Sequence, residues 1–429
     1  MRRKINLFPA GMCLYRSCIN TFFALGGMRF LKRKYSDIPE RTGQVPDVPK
    51  GSLWIHAVSV GEVQSASSLI RRIKNRSTYH CILSTVTPTG RDMAYNLLGN
   101  LADKIIYSPF DAKKYVSHAL EAIKPAAYIA METELWPEML SQLKRRNIPT
   151  FLANGRISDK SFYRMRRTKY FWRGLFECID KFMVRFESDR EKFLALGVPE
   201  EKIIITGDCK VDALLDRRKN TSPEKWLWLK PGDSPLIVAG STHPGEDDIV
   251  ISAFRLLRND YPDARLVIVP RHPDRALMTI ASALPYTDIH AELLSHIDRD
   301  NLSANIVVVD RIGVLFELYA ACDAVFVGGS LVDKGGQNPF EPALFGVPAI
   351  HGPSMSDFPD TPRMDAMGAA MNVNSASELA RVWRDMLQPS ARKQALKDCN
   401  AYFATLGGAS ERTWTEIESC MLDRKKSEE

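Results

Sequence analysis

The feature that most constrains this chain is a repeated alternation of short, nearly continuous apolar runs with amphipathic stretches of helical spacing. Between Ser52 and Gly207 the runs read SLWIHAV, HCILST, KIIYSPF, AAYIAME, TFLANG, KFMVRF and KIIITG. Runs without polar alternation suit strands covered on both faces, and strand–helix alternation builds parallel βαβ units. The pattern breaks at 214–235, where RRKNTSPEKWLWLKPGDSP is polar and punctuated by proline. It restarts with PLIVAGS, ARLVIVPR, ANIVVVDR, AVFVGGS and VPAIHG. A length of 429 residues exceeds what one core serves. The expectation is an α/β protein of two Rossmann-like domains, residues 36–212 and 213–429, behind an N-terminal segment, 1–35. The stretch from about Ser375 is helical in pattern; it is assigned to the second domain, with packing back onto the first as the other option. Ligands of open α/β sheets bind outside the carboxyl ends of the strands. The cleft between two such domains, and residues just after strands, therefore carry the chemistry.

Eight cysteines are scattered without a C-x-x-C pair, which argues against a zinc site or disulfide framework and for a reducing compartment. No metal is expected. The net charge of +7 is clustered at Arg2-Arg3-Lys4, at Arg29 with Lys32-Arg33-Lys34, and at Arg71–Lys74, Lys144–Arg146 and Arg164–Arg167. No RNA-binding motif or helix-turn-helix accompanies these cations, so nucleic acid is not the expected partner. The first two clusters flank a largely apolar segment, Phe8–Phe30, as suits an anionic membrane surface. Arg16 and Asn20 inside that segment make a full span marginal against the roughly 20 apolar residues one needs. The reading is an N-terminal anchor lying in, or weakly crossing, the membrane; a helix packed on the first domain is the rival.

Several strand ends carry reactive groups. Glu62 follows SLWIHAVS at the start of a helix, whose N-terminus favours an ionised carboxylate. It suits a general base, and read alone serves equally as a helix-start residue. Two acids, Glu132 and Glu134, follow AAYIA in METELWP. The turn Ser84–Gly90 offers hydroxyls and amides to an anion, or is simply a good turn. In the second half, Gly328-Gly329-Ser330 leads to Lys334–Pro342, where Asn338 as N-cap and Pro339 as first helical residue start a helix. The glycine amides would approach a phosphate there, and Glu341 would accept from ribose hydroxyls. Arg271 and His272 follow ARLVIVP, placed for a phosphate or a sugar carboxylate. Lys210 falls at the domain junction, where a lysine is ordinarily solvated.

Together HAVSVGE, STVTPTG, METELWP, LANGRIS, TGDCKVD, GSTHPGEDD, VPRHPDR and FVGGSLVDKGGQNPFEPALFGVPAIHGP, in this order, resemble the 3-deoxy-D-manno-oct-2-ulosonic acid (Kdo) transferases of lipopolysaccharide synthesis. The resemblance runs from about residue 30 to 410, with METELWP and GGQNPFEP its most specific parts. It implies a GT-B glycosyltransferase that moves Kdo from CMP-Kdo to a lipid A precursor at the cytoplasmic face of the inner membrane, inverting the anomeric centre without a metal or other cofactor. By motif, Glu62 would be the base, and Glu132 and Lys210 would stabilise the transition state. Pro270, Arg271, His272, Ile312, Gly313, Val314, Asn338, Pro339, Phe340 and Glu341 would hold CMP. Asp208-Cys209, Arg311-Ile312 and Gly155 depart from the family's usual residues, which leaves the contacts at 312–314 least supported. A sugar-nucleotide epimerase of the same fold and a non-catalytic membrane-associated nucleotide-sugar-binding protein are the alternatives.

Overall fold

The computed structural model describes residues 8–35, 37–45, 47–230, 232 and 234–428. The basic run Arg2-Arg3-Lys4 lies outside the described residues. The chain divides into two compact units, Met1–Ala213 with Leu406–Glu429, and Leu214–Thr405.

The first unit is built on seven strands: β1 (Leu53–His56), β2 (Cys81–Thr85), β3 (Lys104–Tyr107), β4 (Ala127–Met131), β5 (Thr150–Gly155), β6 (Lys181–Val184) and β7 (Ile203–Ile205). Their order is β3-β2-β1-β4-β5-β6-β7, and every pairing is parallel. Both faces are covered, and the period of two sorts the side chains. Trp54, Ile82, Ile106, Tyr128 and Leu152 enter one core, while Leu53, Ile55, Leu83, Ile129 and Phe151 enter the other. That double burial is why these strands appear as continuous apolar runs. The order reverses direction between β1 and β4, a topological switch point of the kind where ligands bind.

The second unit repeats the plan with β8 (Leu236–Thr242), β9 (Arg265–Pro270), β10 (Ala291–Leu293), β11 (Ile306–Val308), β12 (Ala324–Val327), β13 (Ala349–His351) and β14 (Ala370–Asn372). The order is β10-β11-β9-β8-β12-β13-β14, again parallel, with its switch point between β8 and β12.

The sequence division needs one correction. Residues 406–429 belong with the first unit, not with the second as the 213–429 boundary had it. Trp414, Ile417 and Met421 of the helix Ala409–Glu428 join the core on the Leu53 face of the first sheet. Full burial of such side chains is worth roughly 1.5–3 kcal/mol each, which outweighs chain proximity to the second unit. Asp212 fixes the return: its carboxylate accepts from Gly408 N–H at 2.7 Å and Ser410 N–H at 2.6 Å.

The N-terminal segment forms two helices, Phe8–Ala24 and Gly27–Lys34, and no helix among the described residues is long and apolar enough to cross a membrane. The spanning form of the anchor reading therefore finds no helix to carry it. The first helix is pinned to the first unit: Tyr15 donates to Asp111 at 2.7 Å and Arg16 to Glu138 at 2.6 Å. The turn that follows leaves Leu25 exposed, and the second helix leaves Phe30 exposed beside Arg29, Lys32, Arg33 and Lys34.

Candidate active site

Three proposed catalytic groups, far apart in sequence, gather at the β1/β4 switch point. Ser59 ends the loop after β1 and Val60 begins a helix, Val60–Arg76, which puts Glu62 in its first turn. The Glu62 carboxylate accepts from Val58 N–H at 2.7 Å and Ser59 Oγ at 3.0 Å, so it does serve the helix start. Burial pushes its pKa up, reinforced by the charge of Glu132; the Val58 and Ser59 hydrogen bonds and Lys210 work the other way. The pull of the helix start on this carboxylate is therefore outweighed by burial, without bearing on the expectation that it is ionised at neutral pH. A raised pKa improves a base at neutral pH, because it brings basicity closer to working conditions.

Glu132 caps β4 with φ 53, a left-handed conformation that a non-glycine residue adopts at a cost. Its buried carboxylate lies 2.5 Å from Arg156 Nε and 2.8 Å from Lys210 Nζ. Burial alone would raise its pKa, but the two cations win and the net direction is down. Glu132 is therefore a fixed anion, and its task differs from that of Glu62.

Lys210 reaches this place through a bulge. The register of β5 against β6 shifts between Leu152 and Gly155, and Asn154 in that stretch takes φ 55. The buried amide of Asn154 accepts Cys209 N–H at 2.8 Å, fixing the start of the helix Cys209–Lys219 against the sheet. Asp208, the departure noted above, accepts Lys210 N–H at 2.9 Å and so serves that helix start. Gly61 leaves the approach open: a methyl there would lie 3.6 Å from Lys210 Nζ. The ordinary solvated-lysine reading does not hold at this junction.

The Ser84–Gly90 turn is partly spent internally, while the buried Thr85 hydroxyl has no hydrogen-bond partner among the described residues. Thr87 accepts Gly90 N–H at 3.0 Å as a helix cap and donates to Val58 O at 3.2 Å, which steadies the loop carrying Glu62. Thr87 thus has the supporting role of a turn residue.

In the second unit the switch point is organised by a residue the sequence reading passed over. Glu246 is fully buried and accepts from four backbone N–H groups: His243 at 2.9 Å, Gly329 at 2.7 Å, Ser330 at 3.0 Å and Leu331 at 2.9 Å. Gly328 donates to Gly240 O, Gly336 to Gly329 O, and Gly335 to Ser354 Oγ. The glycine amides expected to meet a phosphate are therefore occupied by the protein itself. Asn338 does cap the next helix, accepting Phe340 N–H at 3.1 Å, but that helix, Phe340–Leu344, is too short for a strong dipole. Side-chain cations are the groups left open nearby. Arg271 and His272 are exposed beyond β9, and His243 lies near Arg275, Lys334 and His272. Burial and these cations lower the His243 pKa, while Glu246 raises it.

The remaining donor candidates surround β8. Leu315 and Tyr319, on the helix that follows Val314, crowd Gly240, and only glycine fits there, since a methyl would strike the Tyr319 hydroxyl. Pro270 is buried at the end of β9, Ile312 and Gly313 are exposed, and Gly313 has φ 90. Glu341 is pushed up by burial, with Arg217 and Asn338 opposing, and its charge is felt at Tyr319. A separate cavity of about 410 Å³, lined by residues including Asp333, His351, Met355 and Asp365, holds none of the predicted site residues.

Sequence reading missed Arg156, Asn154, His56 and Glu246, and left Glu134 without a role. LANGRIS and GSTHPGE, each running off the end of a strand, were the available signal for Asn154, Arg156 and Glu246.

The comparisons agree with this architecture. Residues 36–213 match the family model described as 3-deoxy-D-manno-octulosonic-acid transferase (kdotransferase). A 3-deoxy-D-manno-octulosonic acid transferase from Haemophilus influenzae is 33% identical, over 81% of this chain and 82% of that protein. A bifunctional glycosyltransferase/methyltransferase from Fusobacterium nucleatum is 34% identical over 70% of this chain, and the matched region spans about half of it, 47%. Among solved structures, a UDP-GlcNAc 2-epimerase from Neisseria meningitidis aligns with TM-score 0.59 and 17% identity, over 85% of this chain and 99% of that one. A glycosyltransferase from Rickettsia africae aligns with TM-score 0.56 and 13% identity, over 87% and 97%. These two show the fold alone, a GT-B-like pairing of parallel seven-stranded sheets. By sequence, the chain belongs to the 3-deoxy-D-manno-octulosonic acid transferase family of glycosyltransferases.

Proposed function

We propose that the protein transfers Kdo from CMP-Kdo to a lipid A precursor in lipopolysaccharide core synthesis, at the cytoplasmic face of the inner membrane. The observation that carries this reading is the gathering of Glu62, Glu132 and Lys210 at one switch point, where a base of raised pKa stands beside a fixed ion pair.

In this mechanism an acceptor hydroxyl attacks the anomeric carbon of Kdo as the bond to the CMP phosphate oxygen breaks. CMP leaves with the bonding electrons, Glu62 takes the hydroxyl proton, and the anomeric centre inverts. Such a base is typically worth about 10²–10⁴-fold in rate. The Glu132–Lys210 pair presents fixed charge to the oxocarbenium-like transition state at no reorganisation cost. Pro270, Arg271, His272, the 312–314 loop and Asn338–Glu341 hold CMP, with side-chain cations meeting the phosphate.

The membrane role rests on exposed apolar and basic residues together. Leu14, Phe22, Leu25 and Phe30 are exposed, Arg29, Lys32, Arg33 and Lys34 flank them, and Arg164, Arg166 and Arg167 are also exposed. This pattern suits a surface that lies on anionic lipid without spanning it.

The test is incubation of purified protein with CMP-Kdo and a tetraacylated lipid A precursor, with the product weighed by mass spectrometry. A mass gain of one or more Kdo units is expected. No gain, or turnover of UDP-GlcNAc instead, would overturn the reading.

A further inference from the structure

Glu134 is a largely buried carboxyl that the transfer mechanism above does not use. It sits in the turn between β4 and the helix Pro137–Arg145, two residues beyond Glu132. Its Oε2 accepts from Trp136 Nε1 at 2.8 Å and lies 4.0 Å from His56 Nε2.

The protonation of His56 follows from its neighbours. Trp54 Nε1–H donates to Ser84 Oγ at 2.8 Å, and the Ser84 hydroxyl lies 2.9 Å from His56 Nδ1 but 3.5 Å from Ile55 O. The hydroxyl hydrogen therefore goes to Nδ1, and the neutral imidazole carries its own hydrogen on Nε2. Burial pushes the His56 pKa down to about 4, so the ring is neutral under ordinary conditions. Nε2 is buried without a hydrogen-bond partner, a costly state in a packed interior. A shift of about 1 Å would bring Glu134 Oε2 within hydrogen-bond range of it.

The Trp136 hydrogen bond and the nearby His56 Nε2 both address Oε2. Oε1 has no hydrogen-bond partner among the described residues, and the side chain keeps 22% of its surface open. Glu62 and Glu132 are close enough for their charges to act on it, while Lys210 and Arg156 are spent on Glu132. An open carboxylate oxygen near the base, held from behind by an indole with an imidazole 4.0 Å away, matches a polyhydroxylated substrate.

We infer that Glu134 is a further acceptor-binding residue, its Oε1 receiving a second hydroxyl of the sugar acceptor while Glu62 deprotonates the first. This rests on the transferase reading above. Trp136 is the positioning residue that holds the carboxyl.

To accept from a hydroxyl, Glu134 must be ionised. Burial, Glu62 and Glu132 push its pKa up to about 7, with the Trp136 hydrogen bond opposing. The groups facing it are Glu62 from the helix after β1, Glu132 in its own turn, His56 from β1, and Tyr128 from β4, whose phenol is raised far out of range. Acceptor kcat/KM should therefore rise as pH passes through about 7.

The experiment uses the full chain with CMP-Kdo and tetraacylated lipid A precursor, comparing wild type, Glu134→Gln and Trp136→Phe across a pH range of about 5 to 9. Glu134→Gln should raise the acceptor KM about 10- to 100-fold, the range for one hydrogen bond to a charged group. The donor KM should stay put and the inflection near neutrality should vanish. Trp136→Phe should raise the acceptor KM less and move that inflection upward, because the indole hydrogen bond that lowers the pKa is gone. An unchanged acceptor KM, or a retained inflection, in Glu134→Gln overturns the inference. Should that variant fail to fold by circular dichroism, an unmoved inflection in Trp136→Phe overturns it. Wild-type protein that releases no CMP in the same assay sinks the transferase reading itself, and the inference with it.

Discussion

Lys210 Nζ stands 2.8 Å from Glu132 Oε1, joining the junction helix to the end of β4. The pair is half-open on the lysine side, at 31% exposure, and closed on the carboxylate side, at 4%. Replacing Lys210 by Met would leave the Glu132 carboxylate with Arg156 alone. Stability should fall by about 1 kcal/mol, below the 3–5 kcal/mol of a fully buried pair, because water reaches the lysine. Transfer should fall about 100-fold or more in kcat. A variant with reduced melting temperature but wild-type turnover would strip the pair of its catalytic part.

Glu62→Gln keeps the shape of the helix start but removes the base. Transfer should drop by about 10²–10⁴-fold while CMP binding, followed by calorimetry, is unaltered. Wild-type-like turnover would transfer the role of base to another residue.

Glu246 holds four backbone donors, and Glu246→Ala strands them in a buried loop. At about 1–3 kcal/mol per unsatisfied donor, partly relieved by entering water, a loss of roughly 3 kcal/mol or more is expected. CMP affinity should weaken at the same time, since the loop shapes the β8/β12 switch point. Glu246→Gln, which keeps one carbonyl acceptor, should fall between. Calorimetric melting of the three proteins checks the order.

Asp103 supplies a pH test of stability. It accepts Cys81 N–H at 2.8 Å and pairs with Lys74 and His80. Burial works to raise its pKa, but these partners lower it from 3.8 to about 2. A depressed pKa means the stabilisation is complete above the unfolded value and is lost as pH falls through about 2. Wild type should exceed Asp103→Asn by about 1 kcal/mol at mildly acid pH, allowing for solvent screening, and the gap should close towards pH 2. A gap independent of pH would assign the effect to packing.

Leu25 and Phe30 test the lipid-facing surface. Replacing both by Asp should weaken co-sedimentation with phosphatidylglycerol vesicles about tenfold or more, equivalent to about 1.4 kcal/mol. Added salt should weaken wild-type binding as well. Equal binding by the variant would move the contact elsewhere on the first unit.

Of the twelve strands legible in sequence, most are buried on both faces, and the edge strand β7 was legible because its three residues are all isoleucine. The two missed, β10 with Ala-Glu-Leu and β14 with Ala-Met-Asn, are short outer edges of the second sheet, where half-exposure removes the apolar run. The same distinction governs the site. Glu62 and Glu132 follow strands and were visible as such. The position of Lys210 depends on Asn154 gripping Cys209 across 55 residues, and the glycine loop's occupancy depends on Glu246 reaching Gly329 across 83 residues. Local pattern does not report contacts at that range, so the loop was read as a phosphate cradle when its amides were already bonded.

The return of residues 406–429 to the first unit has a consequence for how the protein is made. During synthesis the first sheet emerges early, yet the surface that receives Trp414, Ile417 and Met421 stays uncovered until those residues, about 200 positions beyond β7, have been made. The second unit, continuous in sequence, can fold while its elder neighbour still waits. A ribosome that stops short of the helix Ala409–Glu428 would thus release a chain with one finished half and one with bare apolar surface, an ideal substrate for chaperones or proteases.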